Sequence, residues 1–299
     1  MDNKYTNREI AIFTDAHALY EPTKAILEDI KRRGITEIYS LGDNIGLGPN
    51  PKEVMDLLKE YNVKSIAGNA EEYITLGSEP FLTYFSSLDE FNRIWTKNSL
   101  NKEQINEIAL FPHSIELLVG GKKLALCHFA NDVRCDFMEH STWRYQLDLK
   151  NGLKAYKQFL YTNSDEQIKE INNIITRFGF NSPQVKGYLS ANDDPLFRKK
   201  RVDYFDAVIQ GHVHFKMYEE SGKTKFWTIR AVGLGYANAP RDEASYVIVK
   251  EREKGFDVEE VLVKYNRQKM ISNILSSEVD TSKLRKYADI NENDIEKNK

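Results

Sequence analysis

The chain has 299 residues, of which 41% are hydrophobic and 29% charged, enough to bury a full core in one large domain with insertions or in two small ones. Its formal net charge of -3 excludes general electrostatic capture of DNA or RNA. Two cysteines, Cys127 and Cys135, exclude a disulfide framework or a cysteine-rich zinc site.

The first third alternates strand and helix. EIAIFT (Glu9 to Thr14) is a short apolar run of buried-strand type. EPTKAILEDIKRRG predicts a helix opened by Pro22, ended by basic residues and terminated at Gly34. A second strand is expected over Glu37 to Gly42, a second helix over PKEVMDLLKEY, and a third strand over Val63 to Gly68. This β-α-β-α-β order implies a parallel sheet with crossover helices.

Residues 78–112 read as helical and aromatic, with Phe81, Tyr84, Phe85, Phe91 and Trp95. SIELLVGGKKLALCHF then reads strand, Gly-Gly turn, strand. Residues 140–200 form a second polar and aromatic helical stretch. Strands dominate afterwards: DAVIQG, a hairpin around Ser221-Gly222, SYVIVK and FDVEEVLVKY. The expected organisation is a single domain over 1–270, mixed α/β, with helical cap-like insertions at about 78–112 and 131–203. A polar tail, 271–299, is expected to be solvated and without a catalytic role.

The opening stretch lacks the apolar core of a signal peptide, and no apolar run approaches the ~20 residues that span a bilayer. A cytoplasmic location and no membrane partner are therefore expected. Twofold dimers are common enough to make a homodimer the default assembly.

Four short motifs stand where strands end: TDAH (Asp15, His17), LGDN (Asp43), AGNAEE (Asn69) and QGHVH (His212, His214). A fifth, LCHF, places His128 at another strand end. Loops leaving the carboxyl ends of strands build ligand sites in open α/β sheets. Residues i and i+2 of an extended segment face one side, so Asp15 should converge with His17, and His212 with His214. Carboxylate, imidazole and amide oxygen together suit Mn²⁺, Fe or Mg²⁺ better than a structural zinc. Seven such ligands exceed what one ion needs and suffice for two ions sharing a carboxylate, for which Asp43 is best placed. Each motif alone has a plainer reading: Asp15 as an N-cap, Asp43 and Asn69 as turn residues, His128 as a core histidine. Their fall on successive strand ends is what ties them together. His113 and His140 read as loop residues.

The order Asp-x-His, Gly-Asp-x, Gly-Asn-x-[Asp/Glu], His, Gly-His-x-His is similar to that of calcineurin-like metallophosphoesterases. GDNIGLGPNPKEVMDLL and AVGLGYANAPRDEASYVIV resemble the small prokaryotic sub-group of phosphodiesterases and diadenosine polyphosphate hydrolases. The resemblance covers roughly 9–76, 114–130 and 206–250. It implies a four-layer α-β-β-α sandwich and two metal ions, with Mn²⁺, Fe, Ni²⁺ and Zn²⁺ all used in the family. It places one ion on Asp15, His17, Asp43 and His214, and the other on Asp43, Asn69, His128 and His212. A hydroxide bridging the ions would attack phosphorus in line. Asp43, Asn69 and His128 are thus the expected catalytic centre, and Arg241, in APRDE, resembles a phosphate-clamping arginine.

The sequence departs from the family at Ala70, where most members keep a histidine that protonates the leaving oxygen. General acid catalysis is typically worth ~10²–10⁴-fold. An alkoxide needs that proton, whereas a phosphate or nucleotide leaving from an anhydride does not, its second pKa being about 6. The expected substrates are therefore small nucleotide anhydrides or activated phosphodiesters, with asymmetric diadenosine polyphosphate hydrolysis first among them. Aromatic-rich insertions, with Trp95, Trp143, Tyr145 and Tyr156, suit base stacking. A cyclic-nucleotide or general phosphodiesterase, a protein phosphatase and a non-catalytic scaffold are the competing readings. Glu71, Tyr73 and His140 are candidates to replace the missing acid. Arg134, Arg144 and the run Arg198 to Arg201 are candidates to hold phosphate.

Overall fold

The computed structural model describes residues 8–77, 87–129, 165–178, 182–184, 204–234 and 241–296. Two five-stranded mixed sheets form its centre. In the first, β1 (Glu9–Phe13), β2 (Glu37–Ser40) and β3 (Lys64–Ser65) run parallel. The antiparallel pair β9 (Glu243–Arg252) and β10 (Gly255–Lys264) adds to the other side of β1. Ile10 pairs with Glu37 on one side and Val249 on the other. The second sheet is built from β4 (Ser114–Val119), β5 (Lys122–Cys127), β6 (Ala207–Gln210), β7 (Met217–Ser221) and β8 (Thr224–Thr228), in the order β4-β5-β6-β8-β7.

β1 shows why the sheets stack. Strand residues alternate faces, and its apolar residues fill both. Ile10 and Ile12 meet Leu124, Leu126, Val208 and Phe226 of the second sheet. Ala11 and Phe13 meet the helices α1 (Tyr20–Arg32) and α2 (Pro51–Glu60) on the outer face. Those helices present Ile26, Leu27, Ile30, Val54, Leu57 and Leu58 to the sheet. Full burial of one such side chain is worth about 1.5–3 kcal/mol. Gly34, at φ 76, ends the α1 turn where a Cβ would be strained. The result is the mixed α/β sandwich the resemblance implied, two sheets flanked by helices.

Several boundaries differ from the sequence reading. The second strand stops at Ser40 and the third shrinks to Lys64–Ser65, because the chain must leave the sheet to form the loops below. Asn69–Leu76 is a helix, α3, which the sequence reading did not assign. The stretch 78–112 yields α4 (Ser87–Ser99) and α5 (Lys102–Ile108), the latter capped by Asn101, whose side chain accepts from the Gln104 N–H. Most of the 131–203 insertion lies outside the described residues, and α6 (Asp165–Phe178) is its described helix. No described helix is long and apolar enough to cross a membrane.

The expectation of a solvated tail is overturned. Helices α7 (Arg267–Leu275), α8 (Ser282–Tyr287) and α9 (Glu292–Glu296) follow β10. Met270, Ile271, Ile274, Leu284 and Ala288 are buried against Leu19, Ala231 and Leu234. The apolar residues recur at helical spacing inside a polar composition, which is why a reading by composition missed them.

Candidate metal centre

Every donor sits just past a strand's carboxyl end. β1 leads to Asp15 and His17, β2 to Asp43, β3 to Asn69, β5 to His128, and β6 to His212 and His214. The backbone there is not extended. Asp15 (φ 53), His17 (φ 45), Asp43 (φ 51), His212 (φ 69) and His214 (φ 67) all adopt the left-handed region, at a cost of about 1–3 kcal/mol each for a residue other than glycine. Loop-to-loop hydrogen bonds hold them: the N–H of Asp15 donates to Gly42 O (3.0 Å), that of His17 to Asp43 O (2.8 Å) and that of Ala18 to Asn44 O (2.8 Å). Gly68 serves through its missing side chain rather than a sharp turn. Its backbone is extended, and a Cβ there would strike the amide and carboxylate of Asp43.

The side chains gather into two groups. In the first, His17 Nε2 lies 3.0 Å from His214 Nε2, and Asp15 Oδ1 lies 3.4 Å from His214 Nε2 and 3.8 Å from His17 Nε2. In the second, Asn69 Oδ1, His128 Nε2 and His212 Nδ1 are 3.0–3.2 Å from one another. Asp43 Oδ2 stands between them, 3.8 Å from His17 Nε2 and 3.6 Å from His128 Nε2. Donors ~2.1 Å from one ion and at right angles are ~3.0 Å apart, so the 3.0–3.2 Å edges match a coordination shell and the edges to Asp15 and Asp43 are wider. Asp15 and His17 do converge, but through a left-handed turn, and His212 and His214 part to opposite groups. The i, i+2 argument from extended backbone fails on both counts.

Residues 8–216 match the calcineurin-like phosphoesterase family. The chain belongs to that family. An uncharacterised protein of Methanocaldococcus jannaschii is 36% identical over 161 residues, 52% of this chain. The matched stretch spans 65% of that relative's length. Among solved structures, a metallophosphoesterase from Sphaerobacter thermophilus is 18% identical with a TM-score of 0.57, covering 95% of this chain and 99% of that one. A hypothetical protein from Pyrococcus horikoshii OT3 is 15% identical with a TM-score of 0.55, covering 97% of each chain. Both share the fold.

The electrostatics of this site suit cation binding. Burial pushes His17 down to about 4 despite the carboxylates of Asp43 and Asp15 beside it, so its imidazole is neutral with a lone pair to give. Burial alone would raise the Asp15 carboxyl, but its neighbours, His214 first, outweigh it and hold it below the usual carboxylate range. Asp15 Oδ2 accepts from Thr14 Oγ1 (2.7 Å) and the His212 N–H (2.9 Å). Its Oδ1 is buried and makes no hydrogen bond. His128 Nδ1 faces Leu41 O at 2.8 Å, which as a donor leaves Nε2 bare toward the cluster. Bare nitrogens meeting at 3.0–3.1 Å in a buried site repel unless a proton or a cation lies between them. An orphaned carboxylate oxygen, a neutral histidine and mixed N/O donors fit divalent metal.

The remaining candidates divide. Glu71 is fully buried and accepts the N–H groups of Asp43 (2.8 Å), Asn44 (2.9 Å) and Gly68 (2.8 Å). Burial and the adjacent Asp43 carboxylate push it up to about 7. Both its oxygens are engaged by backbone, so it orders the Asp43 and Asn69 loops instead of standing free as a replacement acid. Its place three residues after the helix cap was the sequence signal for this role. Asp43 Oδ1 in turn accepts the Ala70 N–H (2.7 Å).

Ala70 is 7% exposed and packs beside Gly46, whose Cβ, if present, would come within 3.2 Å of it. Arg241 is bound to the C-terminal segment: its Nε lies 2.6 Å from Asp289 Oδ2, and a second nitrogen 3.7 Å from Asp294. His113 pairs with Glu72 at 3.4 Å, and Tyr73 is half-buried on α3. Arg134, His140, Trp143, Arg144, Tyr145, Tyr156 and Arg198 to Arg201 lie outside the described residues.

Proposed function

We propose that this phosphoesterase is a two-metal hydrolase for phosphoryl groups bearing good leaving groups, nucleotide phosphoanhydrides or activated phosphodiesters, with diadenosine polyphosphates the leading class. The observation that carries the reading is the pair of donor groups sharing Asp43 beside a residue, Ala70, that has no proton to give. Asp15, His17, Asp43 and His214 would hold one ion, and Asp43, Asn69, His128 and His212 the other. Metal held by these residues would make a nucleophile available at neutral pH and neutralise charge on the transferring phosphoryl.

The chain's own residues prepare that chemistry. Leu41 O sets the tautomer of His128, Thr14 and the His212 amide orient Asp15, and Glu71 fixes the loop that carries Asp43. Nothing at position 70 protonates the departing oxygen, so the leaving group must depart as a stable anion. Phosphate and nucleotides satisfy that condition, whereas alkoxides do not. Mn²⁺ and Fe are the favoured occupants from the mixed oxygen and nitrogen donors.

A rate panel with Mn²⁺ tests the reading: dinucleotide polyphosphates, cyclic nucleotides, an aryl phosphodiester and alkyl monoesters. Anhydrides and the aryl diester should be cleaved and alkyl monoesters spared. Equal rates on alkyl monoesters would sink the leaving-group argument. The partner substitution is Ala70→His, which should raise the alkyl-to-aryl rate ratio by up to ~10²-fold, the lower end of what a general acid contributes. Because Ala70 packs against Gly46, it should also cost ~1–3 kcal/mol of stability by overpacking. No gain on alkyl esters from a folded variant would remove the role given to this position.

A further inference from the structure

We propose that Tyr287 is a positioning residue of the metal centre, holding the imidazole of His214, and that the C-terminal segment 266–296 exists in this fold partly to bring it there. The proposal rests on the two-metal reading and extends it to a part of the chain outside the family match, which ends at residue 216.

The contact is direct. The Tyr287 and His214 rings meet edge to face, centroids 5.3 Å apart and planes at 85°, a favoured aromatic geometry. His214 is where such support is needed. Its side chain is 12% exposed, against 4% for His17, 2% for His128 and none for Asp15. It also sits on left-handed backbone. His128 is oriented by a carbonyl and His212 by the Phe129 ring at 4.9 Å. Among the described residues, the ring partners of His214 are His17 at 4.9 Å, itself a donor, and Tyr287.

The segment is built to keep Tyr287 in place. Leu284, three residues before it, is fully buried, and Ala288 beside it is 2% exposed. Both pack on Leu19, which follows His17 closely in the chain, and on Ala231 and Leu234, and the Ala231 N–H donates to His214 O (3.4 Å). Two arginines then clamp the turn after α8. Arg241 binds Asp289 and Asp294, and Arg267 donates to the carbonyls of Ala288 (3.3 Å) and Asp289 (3.1 Å) and to Asp294 (3.0 Å). Partly buried ionic contacts of this kind fix geometry more than they add stability. Arg241, expected to clamp phosphate, thus reaches the centre through Tyr287.

The test is calorimetric titration of Mn²⁺ into the metal-stripped full chain, for the unmodified protein, Tyr287→Phe, Tyr287→Leu and Ile290→Ala, with thermal midpoints as a folding check. The unmodified chain should take two ions. Tyr287→Leu should weaken one of them about tenfold, the low end for loss of a ligand-orienting neighbour, and leave the other unchanged. Tyr287→Phe keeps the ring and should bind as the unmodified chain does. Ile290→Ala loosens the segment's packing, to which Ile290 contributes, with the ring intact, and should weaken the same ion by less than Tyr287→Leu does. Equal affinity in Tyr287→Leu, an equal loss in Ile290→Ala, or no rescue by Tyr287→Phe would each overturn the proposal. If the unmodified chain takes up no Mn²⁺, the two-metal reading itself fails.

Discussion

The two halves of the donor cluster are held by different means. Asn69, His128 and His212 form a tight triangle seated on the framework: His128 leans on a backbone carbonyl, His212 on Phe129, and Asn69 opens a helix whose Glu71 is bonded to three amides. Asp15, His17 and His214 form a wider triangle. Asp15 Oδ1 and His17 Nδ1 lack hydrogen bonds, and His214 leans on a tyrosine from a distant segment. One half is fixed mainly by strands and peptide groups; in the other, Asp15 is anchored by the His212 amide while the imidazoles rest on side chains. The difference teaches that a cluster of seven candidate donors need not be equally rigid throughout, and that substitutions outside it should act on one half only.

The largest effect removes the shared member. Asp43→Ala should break both halves at once, lowering phosphohydrolase activity on the order of 10³-fold, the scale of losing a principal electrostatic group. Mn²⁺ titration should find neither ion bound tightly. Retention of one full-affinity ion would mean Asp43 belongs to a single half.

A smaller effect sharpens the contrast. His128→Asn and His214→Asn each remove one imidazole, but His128 also satisfies the Leu41 carbonyl in the core. An unsatisfied buried carbonyl costs ~1–3 kcal/mol. His128→Asn should therefore lower the thermal midpoint of the metal-free protein by a few degrees more than His214→Asn does, as read by calorimetry at neutral pH. Equal midpoints would erase the proposed difference in support.

The smallest effect is a pH dependence of the looser half. His17 is held at about 4 in the folded protein, below its ordinary 6.5. The unfolded chain therefore binds the proton first as pH falls. The stability from keeping His17 neutral is complete above 6.5 and is lost as pH drops toward 4. In the metal-free protein, His17→Asn should flatten the fall of thermal midpoint over that window. An unchanged slope would show that His17 is not the group responsible.

Much of this was legible in the sequence because each donor follows an apolar run that can only be a buried strand. EIAIFT before Asp15, EIYSLG before Asp43 and DAVIQG before His212 fix both the strand and the side of the sheet from which the loop emerges. The partition of the histidines was not legible. It depends on left-handed backbone at five non-glycine donors, which no residue preference announces. Glu71 was read as a candidate replacement acid although its spacing from Gly68 marked a helix cap. The C-terminal segment was misjudged because its buried residues are few and separated by charges. Arg241 was assigned by its resemblance to a loop arginine, and its ion partners, 48 and 53 residues later, carry no local signal.

Chain separation gives the cluster a second consequence. His17 and His214 are 197 residues apart, and Asn69 and His212 are 143 apart. Each triangle draws donors from both sheets, so neither exists until the two sheets have docked. An ion held there would act as a staple across the seam. Its binding free energy accrues only to the fully docked state, worth about 2.7 kcal/mol when free metal stands at a hundred times its dissociation constant. Separation of the sheets would surrender both ions together. Metal loss and opening of the sandwich should therefore appear as a single cooperative event.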